Sequence, residues 1–164
     1  TKGDFTQLTV LIAGDIAHSR VARSAYQALT TLGVKELRIA APPQLMPPPA
    51  EFPQALRFTR LDEAIEGVDV VMTLRIQRER MKGALITDEA TYHREFGIDA
   101  ARLRRARPDA IVMHPGPMNR GVEIASDVAD GPQSVIQRQV TNGVAVRMAV
   151  LATIARNVQA RRRL

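Results

Sequence analysis

Short aliphatic runs that recur along the chain constrain its fold more than any other feature. They are "LTVLIA" (8–13), "LRIA" (37–40), "RFTR" (57–60), "DVVMTL" (69–74) and "AIVMH" (110–114). Several are apolar without alternation, which is typical of strands buried on both faces, and helix-like stretches separate them. The pattern predicts an α/β fold, a doubly wound, Rossmann-like parallel sheet of about five strands flanked by helices.

The clearest helix-like stretch is "SRVARSAYQALTTLG" (19–33), which follows the first predicted strand. Ser19 is its predicted N-cap and Gly33 its predicted stop. The residues near one face of this helix are Val21, Ser24, Ala28 and Leu32. The proline-rich stretch "APPQLMPPPA" (41–50) can continue neither a helix nor a central strand, so we predict a surface connection there.

Length and composition narrow the class of protein. The 164 residues, 45% of them hydrophobic, suffice for one core. A net charge of +6 would suit a nucleic-acid binder, but aromatic residues make up only 4% of the chain and the arginines are scattered. We therefore predict no nucleic-acid partner. The absence of cysteine excludes thiol chemistry and favours a cytoplasmic location.

The sequence also predicts no membrane span. The longest apolar tract, "GVAVRMAVLATIA" (143–155), is interrupted by Arg147 and is shorter than the roughly 20 residues that cross a bilayer. No basic-then-apolar signal opens the chain.

Three polar or constrained segments follow the first, fourth and fifth predicted strands. They are "GDIAHSRVARS" (14–24), "RIQRERMKGALIT" (75–87) and "HPGPMNRGVEI" (114–124). In a doubly wound sheet, ligands bind outside the carboxyl ends of the strands, near the point where the strand order reverses. We therefore expect a binding site among these loops. A nicotinamide site would need G-x-G-x-x-G after the first strand, where only one glycine is present.

The first loop places a cation where a helix begins. Arg20 falls in the first helical turn, where a positive charge is repelled by the positive end of the helix dipole. A carboxylate or phosphate bound nearby would offset this repulsion. An anion-binding role is therefore one interpretation of Arg20. The alternative is an arginine that points outward or pairs with Asp15.

The second loop concentrates charge immediately after a strand. Arg75, Arg78 and Arg80 are interleaved with Gln77 and Glu79. A guanidinium holds a carboxylate through two parallel hydrogen bonds. The Gln77 amide could accept from an ammonium group or donate to an oxygen, and the Glu79 carboxylate could orient Arg75. A solvated surface loop is the alternative.

The third loop is conformationally restricted. Pro115 and Pro117 fix the chain direction, and Gly116 lets the backbone approach a ligand, so main-chain carbonyls could bind an amino group. His114 is a candidate general base, although a histidine at a strand end is more often structural.

These loops and the later "QVTNGVAVR" (139–147), in this order, resemble the aspartate-binding half of aspartate carbamoyltransferase catalytic chains. The likeness runs from roughly Gly3 to near the C-terminus. It implies transfer of the carbamoyl group from carbamoyl phosphate to the amino group of L-aspartate, in de novo pyrimidine biosynthesis. It also implies direct attack by the amine, with no metal or organic cofactor.

The resemblance assigns roles to individual positions. Arg20 and Arg75 would hold the aspartate carboxylates, assisted by Gln77, and Gly116 and Pro117 would contact carbamoyl phosphate through the backbone. The supporting residues would be Glu79, Arg80, His114 and Pro115. The Gly116–Pro117 peptide bond is expected to be cis, as in the family.

The chain departs from the family in one large respect. Catalytic chains also carry an N-terminal half with a Ser-Thr-Arg-Thr-Arg type loop that binds phosphate, and nothing here resembles it. We expect residues 1–141 to form the aspartate-binding domain, and a C-terminal helix over 142–164 to project and pack on the missing carbamoyl-phosphate half. The fragment alone is expected to be inactive.

Complete chains of the family form trimers, so a homotrimer is expected, with regulatory or dihydroorotase-like chains as further candidate partners. Two rival functions stay open. Ornithine carbamoyltransferases usually carry a cysteine beside the histidine of the last loop, where this chain has "HPGP", and lack the "RxQxER" cluster. A non-catalytic homologue with an assembly role is the other.

Overall fold

A computed structural model describes residues 2–76 and 88–161, and these contain a five-stranded parallel sheet. The strands are β1 (Thr9–Ala13), β2 (Glu36–Ala40), β3 (Leu56–Phe58), β4 (Val70–Thr73) and β5 (Ile111–Met113). Their order is β3-β2-β1-β4-β5, and every neighbouring pair is parallel. The predicted doubly wound α/β fold is confirmed.

The helices of the described ranges lie between and after these strands. They are α1 (Arg20–Thr31), α2 (Leu61–Ala64), α3 (Glu89–Phe96), α4 (Ala100–Leu103), α5 (Ser126–Ala129) and α6 (Ile136–Arg161). Short 3₁₀ turns occupy Phe5–Gln7, Pro43–Leu45 and Pro49–Glu51.

Strands β1 and β4 explain the apolar runs in the sequence. All four residues of β4 and the last four of β1 are buried. A strand with neighbours on both sides and packing on both faces has no solvent-facing positions, so its sequence does not alternate. The core is centred on these strands and is completed by side chains from the surrounding helices and loops.

Helix α1 packs through a different face from the one suggested by the sequence. Val21 and Leu32 are exposed, whereas Ala22 is buried and Tyr26 and Leu29 pack against the core. The bulky side chains nearest the sheet therefore come from the Tyr26 and Leu29 side. The predicted N-cap and stop are confirmed, since the Ser19 hydroxyl accepts from the Ala22 amide and the helix ends directly before Leu32 and Gly33.

The proline-rich connection is less superficial than predicted. Its two 3₁₀ turns both have proline at their start, and Leu45, the last residue of the first turn, is fully buried. Phe52, just beyond, is also buried and its ring packs edge-on against Tyr26 at a centroid distance of 5.0 Å. The connection thus covers one end of α1.

Within the described residues, only the start of the final helix contacts the core. Helix α6 begins at Ile136, which is buried, but from Val140 to Gln159 all residues except Gly143 are exposed. Val146, Val150 and Ile154 are 61%, 51% and 53% exposed, so they lie outside the core. The predicted boundary at residue 142 falls inside the helix. None of the described helices is long and apolar enough to cross a membrane.

Candidate functional site

The strand order places three loops together at one edge of the sheet. The chain runs from β1 outward to β2 and β3, then returns to β4 on the other side of β1. Ala13 pairs with Thr73 and Met72 pairs with Met113, so β1, β4 and β5 end side by side. The loops that follow these strands therefore flank the point where the strand order reverses, where open α/β sheets bind ligands.

The first loop leaves β1 through a very close backbone approach. Gly14 has φ +122°, and a Cβ atom there would lie 2.8 Å from the Leu74 carbonyl oxygen just past β4. A side chain is therefore excluded by both conformation and space. This approach keeps the first and second loops adjacent.

Asp15 fixes the conformation of that loop. It is fully buried, and its Oδ1 accepts from the backbone N–H of His18 at 3.2 Å and lies 2.7 Å from the His18 Nδ1. The alternative pairing of Asp15 with Arg20 does not occur. Asp15 instead folds the segment before α1 into a turn.

Arg23 holds the same turn from the helix side. Its guanidinium donates to the carbonyl oxygens of Ala17 and Ser19, at 2.9 and 3.2 Å, and forms an ion pair with Glu51. Residues 17–19 are thus fixed by both Asp15 and Arg23. Sequence reasoning missed Arg23, and only its i+4 distance from the cap Ser19 could have indicated it.

Arg20 is left facing solvent at the start of α1. It is exposed and forms no ion pair with any residue in the described ranges. A cation held at the positive end of a helix without a protein counter-charge is suited to an anionic ligand. The structure places Arg20 at the predicted edge of the sheet.

Arg75 lies two residues past β4 and is partly buried. Because β1 and β4 are neighbours, the Arg20 and Arg75 loops leave the sheet side by side. The other predicted residues of this loop, Gln77, Glu79 and Arg80, lie outside the described residues.

The third loop turns away from β5 at His114. Pro115 is partly buried, Gly116 and Pro117 are exposed, and Gly116 has φ +67°. The Gly116–Pro117 peptide bond is cis, as predicted. No backbone N–H of the described residues donates to the carbonyls of Pro115, Gly116 or Pro117, so these oxygens can receive a ligand donor.

His114 is not placed to act as a general base. It is fully buried, its Nδ1 accepts from the Gly116 N–H at 2.8 Å, and its Nε2 lies 3.3 Å from Glu123 Oε1. Both ring nitrogens are therefore occupied within the protein. The structural interpretation of His114 is the one the geometry supports.

Glu123 is the second residue that sequence reasoning missed. It is fully buried, and its Oε1 accepts from the Asn119 N–H as well as from the His114 ring. The buried Tyr92 hydroxyl and Glu123 Oε2 have no hydrogen-bond partner among the described residues. Burial raises the pKa of Tyr92 above its usual range, and the carboxylates of Glu123 and Asp15 raise it further.

Within the described part of the chain, no group of three or more histidine, aspartate or glutamate side chains is arranged to hold a metal ion. The first two loops at this edge of the sheet carry the cations Arg20 and Arg75, and the third carries backbone carbonyls without a backbone donor among the described residues. This combination can hold an anion beside a hydrogen-bond donor.

Comparison with known proteins agrees with this geometry. The sequence profile of the aspartate/ornithine carbamoyltransferase Asp/Orn-binding domain matches residues 6–154. Aspartate transcarbamoylase from Trypanosoma cruzi, solved with phosphate, is 30% identical with a TM-score of 0.73, over 88% of this chain and 49% of that chain. Ornithine carbamoyltransferase from Pyrococcus furiosus is 27% identical with a TM-score of 0.75, over 89% and 49%.

A further similar structure is ornithine carbamoyltransferase from Burkholderia thailandensis, 26% identical with a TM-score of 0.73, over 92% of this chain and 48% of that one. The chain thus spans about half the length of these solved relatives, and both substrate classes are represented among them. It belongs to the aspartate/ornithine carbamoyltransferase family, and residues 6–154 are the amino-acid-binding domain of that family.

Proposed function

We propose that this chain is the aspartate-binding half of an aspartate carbamoyltransferase. The observation that carries the proposal is Arg20, a cation at the N-terminus of α1 with no ion pair among the described residues, beside the loop of Arg75. L-Aspartate presents two carboxylates, and each suits a guanidinium. L-Ornithine presents one carboxylate and a cationic side chain, which two arginines would repel.

The loop after β5 supplies the other half of the proposed chemistry. Exposed carbonyls at Gly116 and Pro117 would accept from the carbamoyl amino group of carbamoyl phosphate. The amine of aspartate would attack the carbamoyl carbon, phosphate would leave, and the attacking nitrogen would lose a proton. Such a reaction between two anions depends on orientation and on a cationic site rather than on a protein nucleophile.

Turnover also needs groups that hold the phosphate, which we propose come from the carbamoyl-phosphate half of a complete chain. An apolar groove of about 520 Å³ between α1 and the start of α6, over β4 and β5, leads onto the exposed part of α6. We propose that the other half packs on α6, and that complete chains form a cytoplasmic homotrimer acting in pyrimidine biosynthesis.

The test is substrate choice by a full-length chain that contains this domain. Carbamoyl phosphate is supplied with either L-aspartate or L-ornithine, and the carbamoylated amino acid is measured. We expect saturable carbamoylation of aspartate and little of ornithine. Preferential turnover of ornithine would establish the rival substrate, and binding of aspartate without turnover would favour a non-catalytic homologue.

The arginines provide the first specific prediction. In the full-length chain, Arg20→Ala and Arg75→Ala should each weaken use of aspartate by about tenfold to over a hundredfold, since a charge-assisted hydrogen bond is worth roughly 1.5–3 kcal/mol. Carbamoyl phosphate binding should change far less. The matched control is Arg104→Ala, an exposed arginine that precedes β5 instead of following a strand. Near-normal saturation by aspartate in both variants would remove the two arginines from the site.

A further inference from the structure

We propose that His114 is a positioning residue for the carbamoyl phosphate loop: its proton lies on Nε2, its Nδ1 holds the Gly116 amide, and it thereby directs the Gly116 and Pro117 carbonyls. The catalytic consequence of this assignment rests on the proposed function. The arrangement of the proton and the loop rests on this chain alone.

The location of the proton follows from the donors around the ring. A backbone N–H can only donate, and the Gly116 N–H lies 2.8 Å from Nδ1, so Nδ1 presents its lone pair. The remaining ring proton is then on Nε2, which faces Glu123 Oε1 at 3.3 Å. A carboxylate on one nitrogen thus selects the tautomer that makes the other nitrogen an acceptor.

The carboxylate joins both ends of the loop. Glu123 Oε1 also accepts from the Asn119 N–H, so the turn over residues 114–119 is tied at its first and last residues to the same oxygen. Between those ends, the contact that fixes Gly116 is the His114 ring. The ring therefore acts on the peptide unit next to the proposed ligand.

The base of this arrangement is anchored to the fold. The Glu123 carbonyl accepts from the Ile98 N–H at 3.0 Å and from the Thr73 hydroxyl at 3.4 Å, at the end of β4. The backbone N–H of His114 donates to Gln139 Oε1 on α6 at 3.1 Å. These bonds fix the backbone of both residues, and the paired side chains are fully buried.

Two variants separate the two ring nitrogens. His114→Asn places a carbonyl oxygen near the Nδ1 position and can still accept from Gly116, but it loses the bond to Glu123. His114→Gln places its amide near the Nε2 position and can still donate to Glu123, but it loses the Gly116 contact. A merely structural histidine would make these two variants similarly impaired.

In the full-length enzyme we expect His114→Gln to raise KM for carbamoyl phosphate by about tenfold, the effect of one ordinary hydrogen bond, while KM for aspartate changes little. His114→Asn should remain within about threefold of wild type. Equal effects of the two variants on both substrates would overturn the positioning role. If either variant does not fold, Glu123→Gln, which keeps an accepting Oε1, should retain the wild-type KM and Glu123→Ala should not.

A second measurement separates this inference from the proposed function. Long-range proton–nitrogen NMR correlation on wild-type protein should show His114 in the Nε2–H form, with slow exchange of the Gly116 amide. The proton on Nδ1, or a doubly protonated ring at neutral pH, would overturn the inference even in an active enzyme. The expected tautomer in a full-length chain without carbamoyltransferase activity would overturn the proposed function and leave the loop arrangement in place.

Discussion

At the scale of single residues, Gly14 lets the loop after β1 lie directly against the backbone that follows β4. It combines φ +122° with a space that a Cβ atom would overfill, because the Leu74 carbonyl is backbone and cannot rotate away. We predict that Gly14→Ala lowers the free energy of unfolding by about 2–4 kcal/mol, from backbone strain and overpacking together. Urea denaturation measures this change.

Gly67→Ala is the matched control for that prediction. Gly67 also has a positive φ, +65°, but nothing lies within 4 Å of the place that a Cβ atom would occupy, so only the strain of the left-handed conformation remains. We expect a loss of about 1–2 kcal/mol. Equal losses for the two variants would show that the contact with Leu74 is unimportant.

The buried Tyr92 makes the free energy of unfolding depend on pH in the alkaline range. Its pKa in the folded chain is raised above 10.0 by burial and by the nearby carboxylates. The stabilisation due to its retained proton is fully present below pH 10 and is lost as pH rises through the folded pKa, because the unfolded chain releases the phenol proton first.

We therefore predict that the free energy of unfolding falls more steeply between about pH 9 and 11 in wild type than in Tyr92→Phe. At neutral pH the substitution should change stability by less than about 1 kcal/mol, since the hydroxyl has no partner among the described residues. Chemical denaturation over a pH series provides the comparison.

At the scale of elements, the start of α1 depends on its cap. The buried Ser19 hydroxyl accepts from the Ala22 N–H at 3.0 Å, and no acidic residue supports the first turn. We predict that Ser19→Ala lowers the free energy of unfolding by about 0.5–2 kcal/mol. Since Arg20 directly follows the cap, the aspartate binding that we propose for a complete chain should weaken as well.

Ser24→Ala is the control for the cap, because Ser24 lies in the same helix, is exposed and bonds only to the Val21 carbonyl within it. Its stability should be unchanged or slightly higher, since alanine favours the helix interior. A loss equal to that of Ser19→Ala would show that hydroxyl removal has a general effect unrelated to capping.

At the scale of the whole molecule, α6 presents an apolar surface that the described residues do not cover. Met148, Val150, Leu151 and Ile154 are each more than half exposed. Large bare apolar patches promote association. We predict that this chain associates with increasing concentration, and that Val150→Lys with Ile154→Lys abolishes the association, as measured by sedimentation velocity.

The control is Leu32→Lys, which adds a single lysine at a leucine exposed to a similar degree outside α6. It should associate like wild type. A monomer at all concentrations in wild type, or loss of association in the Leu32 variant as well, would contradict the assignment to α6.

Several features could be predicted from the sequence because they depend on neighbouring residues. Uninterrupted apolar runs indicated the strands, since parallel strands are covered on both faces. Ser19 could be identified as a cap, and the loops after β1, β4 and β5 could be placed at one edge of the sheet, because the position of a loop in a doubly wound sheet follows from the order of its elements. The positions of Arg20 and of the loop of Gly116 at this edge were predicted in this way, and their binding roles stay predictions.

Other features were decided only by the tertiary structure. Which face of α1 is buried depended on the position of Phe52 and the sheet, so Tyr26 packs inward and Leu32 does not. The pairing of His114 with Glu123 requires two residues nine positions apart to enter the same buried space, which no local pattern specifies. Local propensity and periodicity determine elements and their ends, whereas burial and long-range hydrogen bonds exist only once the elements have packed.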